Sequence, residues 1–202
     1  MQQLVLNIGP AVEPDFDNYV AGPNAEAVAA VRAFAARGAR EAVMYLWGEP
    51  GSGRTHLLRA AAKVNRDLLI ADDVEKLDAP AQQRLFAAIN AAREGAAPVL
   101  ATGSRPPADL ALREDLRTRL AWGLVYQLKP LTDAEKALHL RAQAARRGLR
   151  LSDEVLAYLL SRLPRDLASL NAVLEALDRY SLATKRPVTL PLVREALERK
   201  IR

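Results

Sequence analysis

The sequence predicts an α/β core on a reduced parallel sheet of about four strands, followed by an all-helical C-terminal unit. Three observations carry that reading. Short apolar runs alternate with helical patterns as far as Pro130, a Gly-rich turn joins one such run to the next helix, and beyond Pro130 only helical patterns remain. Strands alternating with helices imply parallel pairing, with both faces of the sheet covered.

Each element follows from its local pattern. Residues 1–15 hold an apolar hexapeptide, then Gly9, Pro10 and Pro14, and read as an exposed tail. Asn24 caps a helix in which Val28, Val31 and Phe34 recur at helical spacing, ending near Gly38. Val43–Trp47 reads as a buried strand that stops at a Gly-rich turn, and a helix runs from Thr55 to about Val64. Leu68–Ala71 is the next buried strand, closed by Asp72 and Asp73. Asp78 and Pro80 open a helix with Leu85, Phe86 and Ile89 inward, and Val99–Thr102 and Leu124–Leu128 complete the strands. The core is therefore 16–130. In the unit 131–202, Thr132 and Glu135 form a capping box with Leu138 behind it, and Gly148 stops that helix. Ser152 caps a second helix carrying Val155, Leu156, Leu159 and Leu160, and two more follow, from about Asp166 and about Pro191.

Composition narrows the function classes. Of 202 residues half are apolar but only 5% aromatic, so the core is built from Leu, Val and Ala, which favours helices. No apolar run is long enough to cross a membrane, and the N-terminus lacks a secretory pattern. There is no cysteine, which removes disulfides and thiolate metal sites and suits a cytoplasmic protein. His56 and His139 lie too far apart in sequence to suggest a metal pair. A net charge of +5 is mild.

The Gly-rich turn is Gly48-Glu49-Pro50-Gly51-Ser52-Gly53-Arg54-Thr55, the P-loop pattern with arginine in the lysine position. Glycines let successive backbone N–H groups converge on an anion, and the helix N-terminus adds a positive dipole. Gly48, Pro50, Gly51, Ser52, Gly53, Arg54, Thr55 and His56 are thus candidates to hold the phosphates of ADP or ATP, with the Thr55 hydroxyl on Mg²⁺. Arginine keeps the charge of lysine but is planar and wider, so diphosphate binding is expected to survive and efficient hydrolysis is in doubt. Leu68 to Asp73 reads as a Walker B strand that delivers two carboxylates to the C-terminal edge of the sheet. Asp72 is placed near Mg²⁺ and Asp73 near the attacking water.

Phe16 to Asn24 is similar to the segment before the first core helix in the DnaA-related AAA+ family, where it lines the adenine; Tyr19 and Val20 take that role by resemblance. Gly53 to Leu58, Thr102 to Pro107, Leu116 to Gly123 and Arg186 to Leu190 also resemble that family's signatures, so the likeness spans nearly the whole chain. It implies an AAA+ P-loop core with a C-terminal all-α lid. Within the family the chain resembles the Hda type of regulator on three counts. It ends after the lid where initiators carry a helix-turn-helix domain, it has the P-loop arginine, and Gln3, Leu4, Leu6 and Ile8 look like a peptide that docks on the DNA polymerase sliding clamp. An ordinary apolar tail or an edge strand would use the same residues. The family normally places a strand and helix where only Asn65-Arg66-Asp67 stand here, hence the reduced sheet with one edge uncovered or covered by something else.

Further roles come from the resemblance alone. It implies that Arg119 is an arginine finger acting in trans, with Arg117 the second choice; a solvated surface arginine or a salt bridge to Asp115 are the plain alternatives. It makes Arg165 the sensor 2 arginine, with Ser104 or Thr102 in the sensor 1 region. Arg141, Arg146, Arg147 and Arg150 could give weak or indirect DNA contact, although basic helix faces are usually just solvated. The implied function is a regulatory adaptor that docks on the clamp and stimulates ATP hydrolysis by the DnaA initiator, limiting re-initiation, with homodimerisation open. The alternatives are an autonomous ATPase and a nucleotide-stabilised structural module.

Overall fold

The computed structural model describes residues 13–37, 40–163 and 167–198. Strands β1 (Val43–Gly48), β2 (Leu69–Ala71), β3 (Val99–Gly103) and β4 (Leu124–Leu128) form one sheet in the order β2-β3-β1-β4. Every pairing is parallel, with Val99 opposite both Val43 and Leu69, and Met44 opposite Leu124. Side chains alternate across a strand. Met44 and Leu46 therefore pack on one face with Val31 and Phe34 of α1 (Ala25–Ala35) and Leu57 and Ala61 of α2 (Arg54–Val64). Val43 and Tyr45 pack on the other with Leu85 and Ile89 of α3 (Ala79–Arg93) and Leu116 and Leu120 of α4 (Glu114–Leu120). A fully buried leucine of this kind contributes about 1.5–3 kcal/mol through the apolar area it removes from water.

The second strand departs from expectation. Read as buried, β2 is instead a sheet edge, and Leu69 and Ile70 are 46% and 47% exposed. The cause is the short link 65–67. It leaves no room for a further strand to pair with the outer side of β2.

The ends of the core also differ from the sequence reading. Asp15, assigned to the tail, accepts from the Asp17 N–H at 3.2 Å and caps the 3-10 turn Phe16–Asn18. Asn24 stands before α1 but gives it no side-chain cap. Its buried amide instead donates to the Lys129 carbonyl and accepts from the Lys129 N–H, both at 2.8 Å. One side chain thus satisfies both backbone groups of the residue after β4.

Beyond Pro130 the chain forms a separate compact unit of four helices, α5 (Asp133–Arg146), α6 (Asp153–Arg162), α7 (Leu167–Thr184) and α8 (Leu190–Glu198). The capping box holds, with the Glu135 N–H on the Thr132 hydroxyl at 3.2 Å and the Thr132 N–H on the Glu135 carboxylate at 2.7 Å. Ser152 caps α6 through the Val155 N–H at 3.3 Å. Leu138, expected behind the box, points outward at 68% exposed; Leu140 and Ala144 carry the inward face of α5. They pack with Leu156, Leu170 and Leu174. A second cluster joins Val155, Leu159, Val173, Leu177, Leu192 and Val193. No helix among the described residues is long and apolar enough to cross a membrane.

Candidate functional site

Strand β1 delivers the Gly-rich turn 48–53 to the C-terminal edge of the sheet, and α2 begins at once after it. Gly48 closes β1 against Leu128, and Pro50 and Gly51 form the exposed crest of the turn. Gly53 takes φ +91°, a conformation that disfavours any side chain, and a Cβ there would lie 2.6 Å from the Tyr19 ring. Tyr19 is therefore folded over the loop, its hydroxyl donating to the Ser52 carbonyl at 3.1 Å. Burial pushes that phenol up to about 12, so it stays a neutral donor. His56 meets the Tyr19 ring edge-on at 5.3 Å and bonds the Asp15 carbonyl at 2.9 Å. It thus ties the segment bearing Tyr19 and the half-buried Val20 to the first turn of α2.

Three side chains converge behind the loop. The Thr55 hydroxyl donates to Asp72 Oδ2 at 2.8 Å, and the Thr102 hydroxyl to Asp72 Oδ1 at 2.5 Å. Thr102 also accepts from the Asp73 N–H at 3.0 Å. Between the two residues left open as sensor 1, it is Thr102 that reaches the Asp72 carboxylate. The Ser104 N–H goes instead to Glu75 Oε1, at 2.9 Å.

Asp73 sits in the left-handed region at φ +47° and is engaged by two cations. Arg54 Nη2 lies 3.2 Å from Oδ1, and Lys76 Nζ 2.7 Å from Oδ2. The carboxylate of Asp73 holds the Lys76 ammonium above its ordinary pKa, through a hydrogen bond first and charge second. The P-loop cation is thus paired with the carboxylate expected to position water. Neither Lys76 nor this pairing was anticipated, because Arg54 and Asp73 meet only through the fold.

The donors that remain show what the loop fits. Arg54 Nη1 and the Ser52 hydroxyl are buried without a hydrogen-bond partner. Buried donors of this kind require an acceptor, and they flank a turn with a helix N-terminus behind it, where a phosphate supplies several. Among the described residues no three His, Cys, Asp or Glu side chains gather as a metal site. Thr55 and Asp72, the pair expected on Mg²⁺, are hydrogen-bonded to each other, and a cation that keeps several waters and phosphate oxygens asks few ligands of the protein.

Arg119 lies elsewhere, in the last turn of α4. Its guanidinium carbon stands 3.7 Å from the centroid of the Trp122 ring and 5.4 Å from that of Phe86. Asp115 is bridged by Arg113 at 2.6 Å rather than by Arg119. Arg117 donates to the Ala108 carbonyl at 3.1 Å and so braces the preceding turn. In the basic set on the second unit, Arg141 pairs with Asp153, and Arg147 with Glu175 at 3.1 Å. Gln3, Leu4, Leu6, Ile8 and Arg165 lie outside the described residues.

Residues 133–197 match the family model of the Hda lid domain. Among solved structures, domain III of the replication initiation protein DnaA from Thermotoga maritima superposes with a TM-score of 0.74, at 22% identity over 96% of this chain and 99% of that one. AMPPCP-bound DnaA from Aquifex aeolicus gives 0.66 at 21%, covering 96% and 70% of the two chains. The Holliday junction branch migration motor RuvB of Thermotoga maritima gives 0.64 at 17%, covering 95% and 72%. At these identities the solved structures speak for the fold, and the helical unit carries the closer family assignment. The helical unit thus matches an Hda-type lid, and the four-stranded parallel sheet with its P-loop turn has the fold of the DnaA and RuvB structures.

Proposed function

We propose that the chain is a regulatory AAA+ adaptor. It binds ADP or ATP at Gly48–His56 beneath Tyr19 and Val20, with Arg165 as sensor 2. It docks on the DNA polymerase sliding clamp through Gln3, Leu4, Leu6 and Ile8. From there it stimulates ATP hydrolysis by the DnaA initiator, with Arg119 as the arginine supplied in trans. One observation carries this reading: the two candidate catalytic charges stand in opposite states. Asp73, the acid of the chain's own site, is shared between Arg54 and Lys76, which favours a spectator anion over a base. Arg119 contacts no carboxylate among the described residues and is held only by aromatic faces. The own site then retains nucleotide while the free cation acts on another. The Hda lid match and the likeness to DnaA agree with that division.

In this reading Thr55 and Asp72 hold Mg²⁺, whose charge offsets that of the phosphates. Ser52 and Arg54 Nη1 donate to phosphate oxygens, and Tyr19 shields the nucleotide from water. A guanidinium delivered to a γ-phosphate is worth about 10³–10⁵ in rate. The direct test is ATP hydrolysis by purified DnaA, with clamp loaded on DNA, with and without this chain. Strong stimulation that Arg119→Ala removes is the expected result. No stimulation by the unaltered chain sinks the reading.

A second reading, an ATPase acting in its own assemblies, has one observation in its favour: Thr55, Asp72 and Thr102 are already connected as a metal-and-phosphate site requires. It predicts rapid hydrolysis by the chain alone, lost in Asp73→Asn.

A further inference from the structure

Trp122 has two cations on it. Besides Arg119 at 3.7 Å, the guanidinium carbon of Arg93 stands 4.1 Å from the same ring centroid. The two charges are therefore no farther apart than the sum of those distances, which lies within the Debye length of about 8 Å at physiological ionic strength. Arg93 ends α3 and Arg119 lies in the last turn of α4, so two helices are brought to one indole. Asn90, Arg93, Glu94 and Arg119 line a shallow depression open to solvent. Trp122 itself is 43% exposed, so a ligand can reach the ring and the two guanidiniums on it. Two like charges at this spacing repel unless something anionic joins them, and the π face offsets only part of that repulsion. Glu94 supplies one negative charge, which leaves the four lining residues net positive.

We propose that Arg93 acts beside Arg119 as the second cation of one trans-acting site, that Trp122 positions both guanidiniums, and that their target is the triphosphate held by the partner initiator. The assignment rests on the regulatory reading above and deepens it. A flexible arginine loses rotamer freedom when it meets phosphate. An indole that already fixes the plane of the guanidinium removes part of that cost before the encounter, which is how preorganisation raises rate. Arg93 adds a second contact to the same polyanion, and Glu94 limits the site to ligands that bring more than one negative charge.

The test uses the full chain with ATP-loaded DnaA and the clamp on DNA, and reads maximal stimulation separately from the half-saturating concentration of the chain. Trp122→Ala should lower maximal stimulation about tenfold while the half-saturating concentration moves little, and Trp122→Phe should restore most of it. Arg93→Ala should lower it by a similar factor, and Glu94→Gln should lower the half-saturating concentration. These side chains are half-buried or exposed, and thermal melting verifies that each variant folds. A second readout needs no activity. With Trp47→Phe, Trp122 is the sole indole, and tripolyphosphate added to ADP-saturated chain should change its emission, an effect that Arg93→Ala weakens. If Arg119→Ala abolishes stimulation while Arg93→Ala and Trp122→Ala retain it in full, the assignment is overturned and the regulatory reading stands. If the unaltered chain stimulates nothing, both fall. An emission that tripolyphosphate leaves unmoved also overturns the assignment.

Discussion

Individual atoms decide much of the core next to the candidate site. Tyr45 is fully buried on β1 and its hydroxyl donates to the Arg105 carbonyl at 2.8 Å. Burial, and then the charge of Glu75, raise this phenol well above its ordinary pKa, so it remains a donor at any working pH. That hydroxyl occupies the space where residue 103 would carry a side chain: a Cβ on Gly103 would stand 2.0 Å from it. Gly103→Ala should therefore destabilise the chain by about 1–3 kcal/mol through overpacking. Tyr45→Phe removes the clashing atom and also a hydrogen bond. The double variant should be more stable than the two single losses added together. Urea unfolding of the four proteins measures that coupling, and simple additivity would show that the contact does not bear on stability.

Among the helices, α5 carries a titratable group placed to report on the lid. His139 is half-buried and donates to Asn171 Oδ1 on α7 at 3.2 Å. Burial holds its imidazole below the ordinary value of 6.5, opposed by that hydrogen bond and assisted by the charge of Arg146. The unfolded chain takes up the proton first as pH falls. The contribution of His139 to stability is thus complete above pH 6.5 and is lost as pH drops through and below that value. His139→Gln keeps an amide donor and cannot titrate, so the fall in melting temperature from pH 7.5 to 5.5 should be smaller in the variant. An equal fall in both would assign the pH dependence to other groups. Most elements of the fold were legible in the sequence, because Gly and Pro punctuate clean apolar runs and Thr132, Ser152 and Asp78 announce helix starts by their own chemistry. The short link 65–67 already implied an open sheet edge, but the exposure of Leu69 and Ile70 on it was not read, since their apolar run looks like that of a buried strand. The P-loop and the two aspartates of the site were legible as a local pattern. The Arg54–Asp73 pair and the meeting of Arg93 and Arg119 on Trp122 were not, since they join residues that only the packed sheet and helices bring together.

The molecule as a whole divides into two compact units, one from Pro14 to Pro130 and one that begins at Leu131. Each hydrophobic cluster lies wholly inside one of them, so each unit has a core of its own. Such units unfold independently unless something couples them. A ligand that binds only the native state stabilises whatever binds it, by about 2.7 kcal/mol at a hundred times its dissociation constant. If Arg165 contacts a nucleotide held by the P-loop, as proposed, ADP must stabilise both units; otherwise it stabilises the first alone. The sequence offers a way to read the two apart, because both tryptophans, Trp47 and Trp122, lie before Pro130. Indole fluorescence then follows the P-loop unit, while circular dichroism follows the helices of both. Saturating ADP should raise both transitions in the unaltered chain. In Arg165→Ala the fluorescence transition should still rise and the remaining helical signal should melt as it does without ligand. A helical transition that ignores ADP in the unaltered chain would remove Arg165 from the site and leave nucleotide binding a property of the first unit.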